Sequence, residues 1–158
     1  MKKLFFMLAV ACVTLVMTSC ASQETKDAIA LLNAVQNKDL ATAADLANGL
    51  YEKAESLTTD EAYTFMAGLN GLACIAEDQD AAKEYATKVV EIYEMIADKD
   101  AEGLAKATEI GKVDFGPIVE QYKAAFAQQE ESEETEESEE TEESEEAEES
   151  SETEEAAE

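Results

Sequence analysis

Between residues 24 and 127 apolar side chains return every three or four positions, and the stretch contains a single proline, Pro117. That spacing lays one apolar stripe along each of several helices, whereas a half-buried strand needs strict alternation. The chain is therefore expected to be all-α, with five or six helices. The first runs from about Glu24 to Gln36 with Ala28, Ile29, Leu32 and Val35 on one face. Asp39 is a suitable N-cap for the second, whose stripe is Leu40, Ala43, Ala44, Ala47, Leu50, Tyr51, Ala54 and Leu57. Thr58-Thr59-Asp60-Glu61 fits a capping box, in which the first side chain and the fourth satisfy each other's backbone amides. It opens a third helix that buries Ala62, Phe65, Met66, Leu69, Leu72, Ala73 and Ala76. The fourth, from about Gln79 to Ala97, presents Ala82, Tyr85, Ala86, Val89, Tyr93 and Ile96, and a short fifth follows at 101–110. Beyond the turn from Gly111 to Gly116, a last helix is striped by Phe115, Ile118, Val119, Tyr122 and Phe126, with Pro117 in its first turn.

Small residues on these faces let helices approach closely: Ala43, Ala44 and Ala47 on one helix, Gly68 and Gly71 on another. Shifting the chain by about 39 residues lays Asp39, Ala43, Ala47, Leu50 and Glu52 on Asp78, Ala82, Ala86, Val89 and Glu91. This stripe resembles the second helix of tetratricopeptide (TPR) units, and Asp78-Gln79-Asp80-Ala81-Ala82-Lys83-Glu84-Tyr85 is especially similar. The resemblance implies a small array of helical hairpins. A plain up-and-down bundle with alanine-rich seams predicts much the same stripes, so both architectures stay open.

Residues 1–19 have a different character. Lys2 and Lys3 precede an apolar run from Leu4 to Met17, which as a helix would rise about 21 Å, short of the ~30 Å hydrocarbon core. The run reads as a cleaved signal peptide. Its end, Met17-Thr18-Ser19-Cys20, resembles the lipobox of bacterial lipoproteins. That resemblance implies acylation of Cys20, a mature chain beginning there, and attachment to a membrane in the cell envelope. Ala21 follows where an Asp would signal inner-membrane retention, so the implied address is the outer membrane, on its periplasmic or its exposed side. Two or three acyl chains hold a protein stably where one does not. Cys74 then has no intramolecular thiol partner and is expected to act as a small buried hydrophobe.

Charge divides the rest. The formal net charge is −27. Residues 130–158 repeat Glu-Glu-Ser/Thr with 18 glutamates and no lysine, which cannot bury enough surface to offset ordering entropy. A disordered acidic tail is expected there, solvating the protein or weakly capturing Ca²⁺ or a basic partner. Residues 20–129, the helical domain, carry −11. Nucleic acid is excluded as a partner, because phosphate binding needs a cationic surface.

The domain has no His, Arg or Trp. Without His, no Ser-His or Cys-His nucleophile can be built and most transition-metal sites are lost, so an enzyme is not expected and no cofactor is implied. One metal motif stands out. Residues Asp98 to Glu109 resemble the twelve-residue EF-hand loop, with oxygens at Asp98, Asp100, Glu102 and Glu109 and a glycine, Gly103, at the sharp bend. The alternative is a turn followed by a short amphipathic helix carrying Leu104, Ala105 and Thr108. Five tyrosines, Tyr51, Tyr63, Tyr85, Tyr93 and Tyr122, either line a peptide groove or sit at the core edge with wet hydroxyls. The reading this supports is a lipid-anchored, non-enzymatic interaction or scaffold module with an unknown protein or peptide partner. The alternative is a calcium-binding lipoprotein using the EF-hand-like loop, the tail, or both.

Overall fold

The computed structural model describes residues 21–128; the signal segment, Cys20 and the tail from 130 onward lie outside the described residues. What it describes is helical, with no strand among the described residues. The elements are α1 (Gln23–Gln36), α2 (Leu40–Tyr51), a 3₁₀ turn (Ala54–Ser56), α3 (Thr59–Ile75), α4 (Gln79–Lys99), α5 (Ala101–Gly111) and α6 (residues 115–128). One compact unit ends at Tyr122, and residues 123–128 belong to the segment beyond it.

Each start has a local cause. The Ser22 hydroxyl oxygen accepts from the Thr25 amide, Asp39 from Thr42, Asp78 from Asp80 and Asp100 from Gly103, so each helix opens with a side chain on one of its orphan amides. At α3 the expected capping box is complete. Asp114 accepts from the Gly116 amide at 3.0 Å, and Pro117 stands in the first turn of α6, where its missing N–H costs nothing. Two helices end on lysines in the left-handed region. Lys38 (φ 58°) follows α1, where Asp39 N–H reaches the Ala34 carbonyl and Lys38 N–H the Val35 carbonyl; Lys112 (φ 62°) closes α5.

Packing follows a stepwise order. α1 lies against α2, α3 against α4, α1 against α3, and α3 against α5, with further contacts of α2 with α3 and α4 with α5. This is the neighbour order of stacked helical hairpins, the first of the two architectures that the stripes allow. The 39-residue offset is structural: Asp39 and Asp78 are both N-caps, Ala47 and Ala86 are both buried, and so are Leu50 and Val89. α3 is the central helix, touched by α1, α2, α4 and α5, which is why its sequence is apolar on nearly every side. Its Phe65, Met66 and Leu69 are fully buried, each stabilising the fold by roughly 1.5–3 kcal/mol. Close approach depends on glycine. A Cβ at Gly68 would sit 2.6 Å from Leu31, and one at Gly71 would sit 2.8 Å from Val35.

Several stripes differ in detail from expectation. The buried face of α1 centres on Leu31, with Ile29 only half-buried, because α1 packs on two neighbours and not one. α2 stops at Tyr51, since the chain must reverse before Thr58; Leu57 enters the core from extended backbone instead. Leu40, at the exposed start of α2, is 40% accessible. On α5 it is Ala107, not Ala105, that is buried beside Leu104. Cys74, in the last turn of α3, is exposed and not a core residue. Partial desolvation still raises its thiol above the ordinary value.

Candidate functional site

A shallow groove of about 560 Å³ lies where the C-terminal part of α2 and its following turn meet the C-terminal half of α4. Tyr51, Lys53, Glu55 and Ser56 form one wall; Glu91, Ile92 and Met95 come from α4. Ile92 is buried and Met95 half-buried, so the floor is apolar, and Glu52, Glu55 and Glu91 bring carboxylates to it.

The walls are held by specific contacts. The Tyr51 hydroxyl donates to the Glu91 carboxylate, and that bond, with some burial, pushes the phenol above its usual range. The Lys88 ammonium lies 5.0 Å from the centre of the Tyr51 ring and 5.8 Å from that of Tyr85, between two aromatic faces. It also donates to Glu84 at 2.6 Å and Asn48 at 3.2 Å, and its side chain is only 11% exposed. Lys53 pairs with Glu24 at 3.1 Å, tying the turn to α1. Lys99 donates to the Glu55 carbonyl at 3.0 Å, tying the turn to the end of α4. The turn therefore cannot shift without losing charged hydrogen bonds to two helices.

Of the five tyrosines, the structure brings two together, Tyr51 and Tyr85, around Lys88. Tyr63 is buried and its hydroxyl is not wet: it donates to the Val113 carbonyl at 2.8 Å and accepts the Val113 amide at 3.1 Å. Its ring meets Phe115 edge to face, with centroids 5.3 Å apart. Tyr93 stands near Gly116, where an added Cβ would lie 3.2 Å from its hydroxyl. The Tyr122 hydroxyl donates to Asn70, the buried polar residue of α3, at 2.7 Å; burial, with Cys74 nearby, raises its phenol.

The EF-hand-like stretch is not one loop. Asp98 and Lys99 close α4, Asp100 joins the two helices, and residues from Ala101 to Gly111 are helical. Gly103 lies inside α5 with ordinary backbone, so it makes no sharp bend. Asp100 accepts from the Thr59 hydroxyl at 2.5 Å and from the Gly103 amide, and those two bonds lower its pKa. Glu102 pairs with Lys106 at 2.8 Å, one turn along α5, and Glu109 is exposed near the far end of that helix. Among the described residues no three His, Cys, Asp or Glu side chains stand together as a metal-binding group.

The acidic groove escaped a reading by stripes because its walls come from residues about 40 positions apart. The one signal in the chain was the 39-residue offset that pairs Glu52 with Glu91. Comparison with protein families, curated proteins and solved structures finds no match to this chain.

Proposed function

We propose that this chain is a lipoprotein anchored through Cys20 in the cell envelope, with the outer membrane as its address. Its helical domain acts as a non-enzymatic interaction module. The groove between α2 and α4 receives a cationic, partly apolar segment of a protein partner. The observation that carries this reading is the groove itself: an apolar floor at Ile92 and Met95, with Glu52, Glu55 and Glu91 around it. Lys53, the basic residue of that lining, is already engaged by Glu24. A lysine-bearing segment gains charge-assisted hydrogen bonds there while its apolar side chains leave water. The anchor is supported by the Met17-Thr18-Ser19-Cys20 pattern after a short apolar run.

Fluorescence anisotropy with labelled peptides tests the groove, using residues 20–158 with the tail present throughout. Mixed Lys/Leu peptides are expected to bind and Glu/Leu peptides not to. Glu91→Gln and Glu55→Gln together should weaken binding at least fivefold. Equal affinity in that variant would assign the binding to the tail and reject the groove. Incorporation of labelled fatty acid into the cellular protein, lost in Cys20→Ser, tests the anchor.

A further inference from the structure

The N-terminal edge of the domain is fastened with almost no slack. Ser22, two residues after Cys20, is the N-cap of α1, and its hydroxyl donates to the Glu61 carboxylate on α3. The same carboxylate accepts from the Thr25 hydroxyl at 2.9 Å, the Thr58 amide at 2.9 Å and the Thr58 hydroxyl at 2.8 Å. Partial burial pushes the Glu61 carboxyl up, but these bonds outweigh it and bring it down to about 2, so the fastening stays ionised at neutral and mildly acidic pH. Two residues span at most about 7 Å. An acyl group on Cys20 would therefore be held that close to the folded edge.

That edge is well defined. The Ser22–Glu61 contact sets the start of α1 beside the start of α3, and the Thr59–Asp100 bond sets the start of α3 beside the start of α5. Lys53–Glu24 and Lys99–Glu55 bring the ends of α2 and α4 to the same place. The groove, lined by Tyr51 to Ser56 and Met95, opens at this end. The exposed large hydrophobics among the described residues are Leu40 and Ile110, at the start of α2 and the end of α5, both at the opposite end.

Resting on the lipid-anchor reading, we infer that the domain sits directly on the bilayer. The end carrying Ser22, Thr58 and Asp100 faces the lipid surface, and the groove opens beside it. The partner of that end is the membrane itself, held at a distance set by Ala21 and Ser22.

The test uses the full acylated protein in phosphatidylcholine vesicles that contain lipid with a nitroxide on its headgroup. In a Cys74→Ser background, a fluorophore is placed at Asp60→Cys, near the start of α3, or at Asn37→Cys, about 22 Å along α1 from Ser22. Quenching at position 60 should exceed that at 37 at least threefold. Inserting twelve Gly/Ser residues between Ala21 and Ser22 should bring the ratio close to one. Equal quenching in the acylated protein, or a ratio unchanged by the insertion, overturns the orientation and leaves the anchor standing. Absence of labelled fatty acid from the wild-type cellular protein overturns the anchor and the orientation together.

Discussion

The Tyr63 hydroxyl bonds both backbone polar atoms of Val113, donating to its carbonyl oxygen at 2.8 Å and accepting from its amide at 3.1 Å. One side chain of the central helix thus satisfies the turn between α5 and α6, fifty positions later in the chain. Tyr63→Phe keeps the ring against Phe115 but leaves two buried groups without their partner. A loss of about 1–3 kcal/mol is expected, read by urea unfolding followed by circular dichroism. No change in midpoint would mean that solvent replaces the hydroxyl and that this turn is not closed by Tyr63.

The glycines of α2 and α3 should respond in opposite senses to the same substitution. At Gly68 and Gly71 an added methyl meets Leu31 at 2.6 Å and Val35 at 2.8 Å, forcing α1 away from α3. Each Ala variant should destabilise by about 1–3 kcal/mol. At Gly49, inside α2, nothing lies within 4 Å. Gly49→Ala should stabilise by roughly 0.5–1 kcal/mol, because only backbone entropy and helix propensity change. Thermal melts of the three variants side by side check the contrast.

Lys38 and Lys112 hold left-handed backbone that glycine adopts without strain. Lys38→Gly and Lys112→Gly are expected to raise stability by roughly 1 kcal/mol each, and their effects should add because they close different helices. A fall in melting temperature would show that the lysine stems contribute more than the backbone costs.

Glu61 gives the fold an acid limit. Its carboxyl lies at about 2 in the folded chain and near 4.5 in the unfolded one. The unfolded state therefore takes up the proton first as pH falls. The contribution of Glu61 is fully present above pH 4.5 and fades between there and pH 2. Asp39, lowered by its bonds to Thr42, and Asp100, lowered by the Thr59 hydroxyl and then by its capping bond to Gly103, act in the same direction. Glu61→Gln should lower the melting temperature at pH 7 and matter much less at pH 2. A gap of equal size at both values would remove the ionised carboxylate from the explanation.

Much of the fold was legible because its signals are local. The capping box at Thr58–Glu61, the N-cap at Asp39, Pro117 in a first turn and the 3.6-residue stripes all depend on neighbours within one helical turn. The hairpin repeat was visible too, as the offset that pairs Ala47 with Ala86 and Leu50 with Val89. By itself, then, the sequence determined the all-α class, the order of the helices and most of their starts.

What only the tertiary structure decided is which helix each stripe faces. Leu31 became a centre of the core because Gly68 lets α3 come against it, a relation between residues 37 positions apart. Tyr63 turned inward because Val113 offered both a donor and an acceptor, whereas Cys74, equally apolar in the sequence, was left exposed in the last turn of the same helix. Asp100 likewise had the composition of a calcium ligand. Its oxygens were drawn to Thr59 and Gly103 once α3 and α5 lay side by side, and the twelve-residue stretch became the joint between two helices. Periodicity says that a face will be buried; the size and polarity of whatever arrives from elsewhere in the chain settle where it is buried and against what.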